Sequence, residues 1–248
     1  MTSTPSIDVV LPCRDEAPAL TALLPRIPDG MRVIVVDNGS TDTTADVARD
    51  LGATVVTEPE AGYGAAVAAG LDAATADIVA FMDGDGSFDP ADLTELVADV
   101  VAGRVDLAAG RRRPAARGVW PWHARFGNAL IAWWLRRRIE LPLSDLAAMR
   151  VVRREALLEL HIQDRRFGYP VELLQSAVHA DWRFSEHDVS YGPRAAGTRS
   201  KVSGSFLGTV RTARDFRRVL ADGHHDGPGA GRADGRRTGG TSLDGSRA

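Results

Sequence analysis

The chain has 248 residues, 44% of them hydrophobic and 25% charged, which suits one α/β domain of about 200–250 residues, or two small ones, with a sizeable core. A net charge of −3 argues against nucleic-acid binding by bulk attraction, and a single cysteine, Cys13, excludes an internal disulfide and a Cys-rich zinc site. The N-terminus lacks the basic and apolar regions of a signal peptide, and the longest apolar stretch, GNALIAWWL, has nine residues and is too short to span a bilayer.

Short β-branched runs, IDVVLP and RVIVVD, have the apolar character of buried parallel strands, with a helix-like segment carrying Leu20, Leu23 and Leu24 between them. NGSTDTTADVARDLG predicts a helix with Ser and Thr near its start and Gly52 at its end. A strand TVVT, a helix opening at GYGAAVAAG and a strand DIVAFMD come next. Then follow a helix with Leu93, Leu96, Val97, Val100 and Val101 on one face, and a strand VDLAAG. Strand and helix alternate four times, which predicts a doubly wound, mostly parallel, Rossmann-like sheet.

The second half is less regular. RRRPAARGVWPW reads as a basic loop broken by Pro and Gly. A helix follows with Phe126, Ala129, Leu130, Trp133 and Trp134 as its apolar face. LAAMRVV reads as a strand, RREALLEL as a short helix, GYPVELLQSAVHAD as a helix and WRFSEHDVSY as a strand. PRAAGTRSKVSG reads as a loop, and a last helix is expected from about Ser205 to Leu220. From Asp222 on, 27 residues hold eight glycines and one large aliphatic residue, Leu243, so the tail 222–248 is expected to be disordered. The expected organisation is one domain over 1–221, with a regular first half at 7–110 and a less regular second half at 111–221.

The chemistry is signalled at FMDGDGSFDP, where Asp83, Asp85 and Asp89 lie within seven residues after an apolar strand. Ligands of open α/β sheets bind at the carboxyl ends of strands. Asp15 and Glu16 follow the first strand, Asp37 ends the second, and Asp83 ends the fourth. Crowded carboxylates call for a cation, and Mg2+ or Mn2+ takes oxygen ligands while keeping positions for phosphates and water. Gly84 and Gly86 leave room for backbone and ligand to approach. Asp89 precedes Pro90 and reads instead as a helix cap. GYGAAVAAG lacks the spacing of a dinucleotide fingerprint and does not follow the first strand. A helix start at Gly62, Tyr63 and Gly64 either faces the nucleotide or packs close against the sheet. The six histidines show no metal-ligand spacing, so a zinc hydrolase is unsupported.

VVLPCRDEA, VIVVDNGSTDTTADVA, GYGAAVAAG and FMDGDGSFDP, in this order, resemble the successive motifs of family 2 glycosyltransferases with a GT-A fold, in the dolichol-phosphate mannosyltransferase-like branch. The resemblance runs from about Ile7 to Leu220. It implies a metal-dependent, inverting transfer of a sugar from a UDP- or GDP-type donor to an acceptor, with polyprenyl phosphate as the candidate. It puts Asp15 and Asp37 at the nucleoside, with the backbone of Pro12 and Cys13 nearby. Asp83 would lie beside ribose and metal, and Asp85 would be the main ligand of the D-x-D motif. Asp15 stands where the family usually has Asn, and Asn38 where it usually has a second Asp.

By the same resemblance, Asp145 in SDLAAMRVVRREAL faces the donor sugar or acceptor, and RAAGTRSK closes Arg194, Arg199 and Lys201 over phosphates, with Arg194 and Arg199 also candidates for an acceptor phosphate. Arg forks match phosphate oxygens two-pronged. A hydroxyl acceptor needs a carboxylate to take its proton, with Asp145 as first candidate and Glu172 as second. A phosphate acceptor, ionised near neutral pH, needs none. The protein is expected in the cytoplasm. The apolar face of the Trp133 helix reads first as core packing and second as a peripheral membrane contact, while the Ser205–Leu220 helix reads equally either way. A soluble hydroxyl acceptor, a nucleotidyltransferase and a catalytically silent sugar-nucleotide binder stay open, although CRDEAPA stands where a nucleotidyltransferase normally has a Gly-rich basic loop.

Overall fold

The computed structural model describes residues 5–116, 118–146 and 148–195. Arg199, Lys201, the helix expected at Ser205–Leu220 and the 222–248 tail lie outside the described residues. The chain runs β1 (Ile7–Cys13), α1 (Ala17–Leu23), β2 (Met31–Asp37), α2 (Thr44–Asp50), β3 (Thr54–Thr57), α3 (Tyr63–Ala73), β4 (Ile78–Phe81) and α4 (Leu93–Val101). It continues with β5 (Leu107–Pro114), α5 (Trp122–Ile139), β6 (Met149–Arg153), α6 (Arg154–Glu159), α7 (Tyr169–His179) and β7 (Phe184–Tyr191).

The seven strands form one sheet in the order β3-β2-β1-β4-β6-β5-β7. Only β6 runs against its neighbours, pairing antiparallel with both β4 and β5, while β7 pairs parallel with β5. Alternate residues of the central strands feed two apolar layers. Val9, Leu11, Val35 and Ala80 pack with Leu20, Leu23, Ala48, Leu93 and Leu96 of α1, α2 and α4. Val10, Ile34, Val36 and Phe81 pack on the other face with Val67, Leu135, Leu157 and Leu174 of α3, α5, α6 and α7. Helices on both faces explain why these strands read as continuous apolar runs rather than alternating ones. The chain steps outward from β1 to β3 and then returns to β4 on the other side of β1, so the β1/β4 crevice is the topological switch point.

The doubly wound sheet agrees with the sequence. Two local expectations do not hold. Phe126, Leu130 and Trp133 of α5, read as core-packing residues, are exposed, and Arg111 to Pro114 are not loop but the end of β5, in register with Asp188 to Tyr191 of β7. The cause is charge alternation along a paired strand. Arg111 and Arg113 point to one side, where both meet Asp188 at 2.6 and 2.7 Å, and Arg112 points to the other. Asp89 caps as expected, its carboxylate accepting from the Ala91 amide at 3.1 Å ahead of the 3-10 turn Pro90–Asp92.

At the far end of the sheet, buried Asp8 accepts from Arg32 at 2.7 and 2.6 Å and from the amides of Thr75 and Ala76. Burial pushes this carboxyl up, but the Arg32 fork and the two amides outweigh it and hold it below its ordinary value. It ties β1, β2 and the α3–β4 connection together on the face away from the candidate site.

Candidate active site

Cys13 and Asp37 are register partners, so β1 and β2 end at one level. Beyond them the chain knots itself. Asp15, with φ at +51°, donates its amide to Ser40 Oγ at 3.0 Å and accepts from the Thr41 amide at 2.6 Å. Asp37 accepts from the Ser40 amide at 2.9 Å. Both acids therefore grip the same 40–41 turn. Cys13 is buried, and its carbonyl accepts from the Asn38 amide at 2.9 Å; Pro12, beside it, is half-buried.

Asn38 explains its own identity. Its side-chain NH2 donates to the carbonyls of Glu58 and Glu60 at 2.9 and 2.6 Å, while its oxygen accepts from the Gly62 amide at 2.9 Å. An aspartate could take only the last of these bonds, because a carboxylate has no donor. Asn38 is thus a bracket between the end of β2 and the β3–α3 connection.

Asp83 and Asp85 follow β4 at the switch point. Asp85 is 5% exposed; one oxygen accepts from the Ser87 amide at 2.9 Å, and the other is held by the guanidinium of Arg194. The Ala195 amide closes the loop on the Asp85 carbonyl at 3.0 Å. Burial, and then the neighbouring charge of Asp85, push the Asp83 carboxyl up to about 6, against the pull of Arg112, Arg194 and Arg150. Gly84 is needed for close packing, since a Cβ there would stand 2.3 Å from Cys13 Sγ, and Gly86 has a φ of +77°.

A cation fits this pair. One carboxylate is raised by the other, and the second already holds a positive group. Among the described residues no cluster of three or more His, Cys, Asp or Glu side chains converges to hold a metal. Two carboxylates alone suit an ion such as Mg2+, which fills its remaining positions with phosphate oxygens and water.

The third component comes from the second half of the chain, beyond Gly110. Asp145, 2% exposed, is gripped by Arg112 in a fork, Nη2 to Oδ1 at 2.6 Å and Nε to Oδ2 at 3.0 Å, and also accepts from the Arg112 amide at 3.1 Å. Arg112 further donates to Asn128 of α5 at 2.9 Å and lies 4.2 Å over the Trp120 ring. Glu186 of β7 accepts from the amides of Ser144 and Asp145 at 2.7 and 3.1 Å and from Ser144 Oγ at 2.6 Å, fixing the turn that presents Asp145.

Gly64 and Glu172 sit differently from a ligand-facing arrangement. The Gly64 amide donates to the Arg166 carbonyl at 3.0 Å, and the next amide, of Ala65, to the Arg165 carbonyl at 2.8 Å. A Cβ on Gly64 would stand 2.3 Å from the Asp164 carbonyl oxygen, so the glycine lets the 164–166 segment cross the start of α3. Glu172 holds that same segment, its two oxygens accepting from the amides of Gln163 and Asp164 at 2.9 and 2.7 Å. The helix start at Gly64 is thus packed against the 164–166 segment rather than against the sheet, and Glu172 braces that segment.

Sequence reading missed Arg150. It is 1% exposed on β6, opposite Phe81, and donates to Tyr63 Oη at 2.7 Å. The rings of Tyr63 and Tyr169 lie 5.9 and 6.0 Å from its guanidinium, which supplies positive potential beneath Asp83. A signal existed, because an arginine inside the apolar strand LAAMRVV is out of place unless something recruits it. The Arg112–Asp145 fork had no such signal, since it depends on which side of β5 each arginine faces.

Comparison with known proteins accords with this geometry. The profile of glycosyl transferase family 2 matches residues 8–157. An uncharacterised glycosyltransferase of Mycobacterium tuberculosis is 55% identical over 216 residues, 87% of this chain and 98% of that one. Polyprenol monophosphomannose synthase of Mycolicibacterium smegmatis is 28% identical over 219 residues, 79% of this chain and 81% of that one. Among solved structures, glucosyl-3-phosphoglycerate synthase of Mycobacterium tuberculosis in complex with Mn2+, UDP and phosphoglyceric acid superposes with a TM-score of 0.66. It is 26% identical, and the match covers 87% of this chain and 77% of that one. The sheet is that of the GT-A glycosyltransferases, with the switch-point acids where the sequence motifs put them, and the chain belongs to glycosyl transferase family 2.

Proposed function

We propose that the protein transfers a sugar from a UDP- or GDP-type nucleoside diphosphate sugar to the phosphate of a polyprenyl phosphate, with a Mg2+ or Mn2+ ion held by Asp83 and Asp85. The donor side is supported by the Mn2+ and UDP of the glucosyl-3-phosphoglycerate synthase complex and by the paired carboxylates at the switch point. Asp15 and Asp37, beside the backbone of Pro12 and Cys13, face the nucleoside. When bound, the divalent ion acts as a Lewis acid that offsets the charge of the departing diphosphate. Arg194 now satisfies Asp85, and with Arg199 and Lys201 it supplies cations for phosphate oxygens.

One observation carries the acceptor. Both carboxylates proposed as bases are committed to donors of the protein itself: Asp145 to the Arg112 fork and Glu172 to two backbone amides. A hydroxyl acceptor needs a base to take its proton in the transition state, whereas a phosphate oxygen is already ionised near neutral pH. The tied carboxylates therefore favour an acceptor that needs no base. Asp145 then works as a positioning residue, holding the Arg112 guanidinium toward the acceptor. Likeness to the polyprenol monophosphomannose synthase supports a lipid-phosphate acceptor.

The phosphoglyceric acid in the related complex favours a second candidate, a small phosphorylated acceptor. Radiolabelled UDP- and GDP-sugars with Mn2+, offered polyprenyl phosphate or phosphoglyceric acid, separate the two. Label in the organic phase, abolished in Asp85→Ala but only reduced in Asp145→Asn, is expected. Label found only in the water-soluble acceptor, or a loss of about 10²–10⁴ in rate in Asp145→Asn, contradicts the lipid-phosphate assignment.

A further inference from the structure

α5 presents its apolar residues to solvent. Trp122, Phe126, Leu130 and Trp133 are 80, 62, 50 and 52% exposed, and they recur at i, i+4, i+8 and i+11, so they share one side of the helix. Ala132 and Leu135, on the other side, are the residues it buries in the fold. Exposed large apolar groups in such a row are not ordinary surface. The same helix carries Arg125, Arg136, Arg137 and Arg138 and no acidic residue, and Arg137 lies 5.5 Å from the Trp133 ring within the exposed row.

We infer that this side of α5 is a docking surface for an anionic lipid bilayer. Tryptophan, phenylalanine and leucine would enter the headgroup–acyl boundary while the arginines reach lipid phosphates, the arrangement of an interfacial helix. Among the described residues no helix is long and apolar enough to cross a membrane, so α5 would lie on the surface. Charge selects the occupant. Against a second copy packed helix to helix, the four arginines would meet four more, with one C-cap acid, Glu140, at the end of each helix, so like charges outnumber opposite ones; an anionic surface complements the arginines. Docking also has a place in the site, because Asn128, from the buried side of α5, accepts from Arg112 and from the Leu146 amide. The helix that meets the lipid thus touches the cation assigned to the acceptor.

The purpose of this surface rests on the lipid-phosphate acceptor proposed above, but vesicle binding requires neither donor, metal nor acceptor, so each can fail without the other. The test is co-sedimentation of the full chain with vesicles of phosphatidylcholine, alone or mixed with phosphatidylglycerol, with brominated phosphatidylglycerol as a quencher of tryptophan fluorescence. The wild type is expected to pellet with the mixed vesicles only and to be quenched. Replacing Trp122, Phe126, Leu130 and Trp133 together by Ser, or Arg136, Arg137 and Arg138 together by Gln, should weaken binding by about tenfold or more at an unchanged melting temperature. Trp122→Phe with Trp133→Phe is the milder variant, and it should lose most of the quenching while still pelleting. Failure of the wild type to bind, or equal binding by the serine variant, overturns the assignment. So does a wild-type dimer that the serine variant converts to monomer without any vesicle binding.

Discussion

Asp83 is a carboxylate whose charge works against the metal-free fold. Burial and Asp85 raise it to about 6, above the ordinary 3.8. The sign follows from linkage: the ionised form is disfavoured in the folded state, so the penalty is fully present above about 6 and is relieved as pH falls from there toward 3.8. Asp83→Asn removes it. The metal-free variant should be more stable than wild type at pH 7.5, by on the order of 1–3 kcal/mol after allowance for partial solvent screening. The gain should shrink as pH is lowered through 5, while Mn2+-dependent nucleotide affinity falls. Melting curves of metal-free protein over this pH range check it; equal melting temperatures at pH 7.5 count against the raised Asp83. The residues of this pair were legible from sequence because acids at a strand end have no packing explanation. The cation on them was not, as Arg194 lies 109 positions from Asp85.

Among the elements, the β2–α2 turn and the β3–α3 connection shape the proposed donor side, and Asn38 joins them. Its two donated bonds to Glu58 and Glu60 make Asn38→Asp a sharp test. The variant would set a carboxylate against two carbonyl oxygens, and a buried or half-buried polar group left unpaired costs about 1–3 kcal/mol. The melting temperature should drop by several degrees, and proteolysis should cut first in residues 58–62. Unchanged stability and protection would show that the bracket is not needed. The strands and helices were legible from their apolar periodicities, with β5 the exception. Its last residues, Arg111 to Pro114, carry loop-like composition, and only pairing with β7 and the shared partner Asp188 makes them strand. Likewise, the glycines opening α3 read equally as a ligand turn or as close packing on the sheet, and the structure has them against a crossing segment instead. The crossing segment, Asp164 to Arg166, comes from 100 residues later, so no local pattern could reveal it.

For the whole molecule, topology brings the chemistry together. Reversal of strand order at β1/β4 puts Asp15, Asp37, Asp83 and Asp85 on one rim, and antiparallel β6 brings Arg150 beneath them while β5 delivers Arg112 from the side. The first half of this arrangement could be read from four strand–helix repeats. The second could not, because insertion of β6 between β4 and β5 depends on long-range pairing. The most direct test of a metal-dependent donor site is calorimetric titration of UDP- and GDP-sugars into the full chain, with and without Mn2+, in wild type and Asp85→Ala. One donor class should bind wild type only when Mn2+ is present and stabilise it by about 2.7 kcal/mol at 100 times its dissociation constant. Asp85→Ala should keep its fold and lose the Mn2+ dependence. Binding that is equally tight without Mn2+, or unchanged in Asp85→Ala, would contradict a metal-held donor at the β4 end.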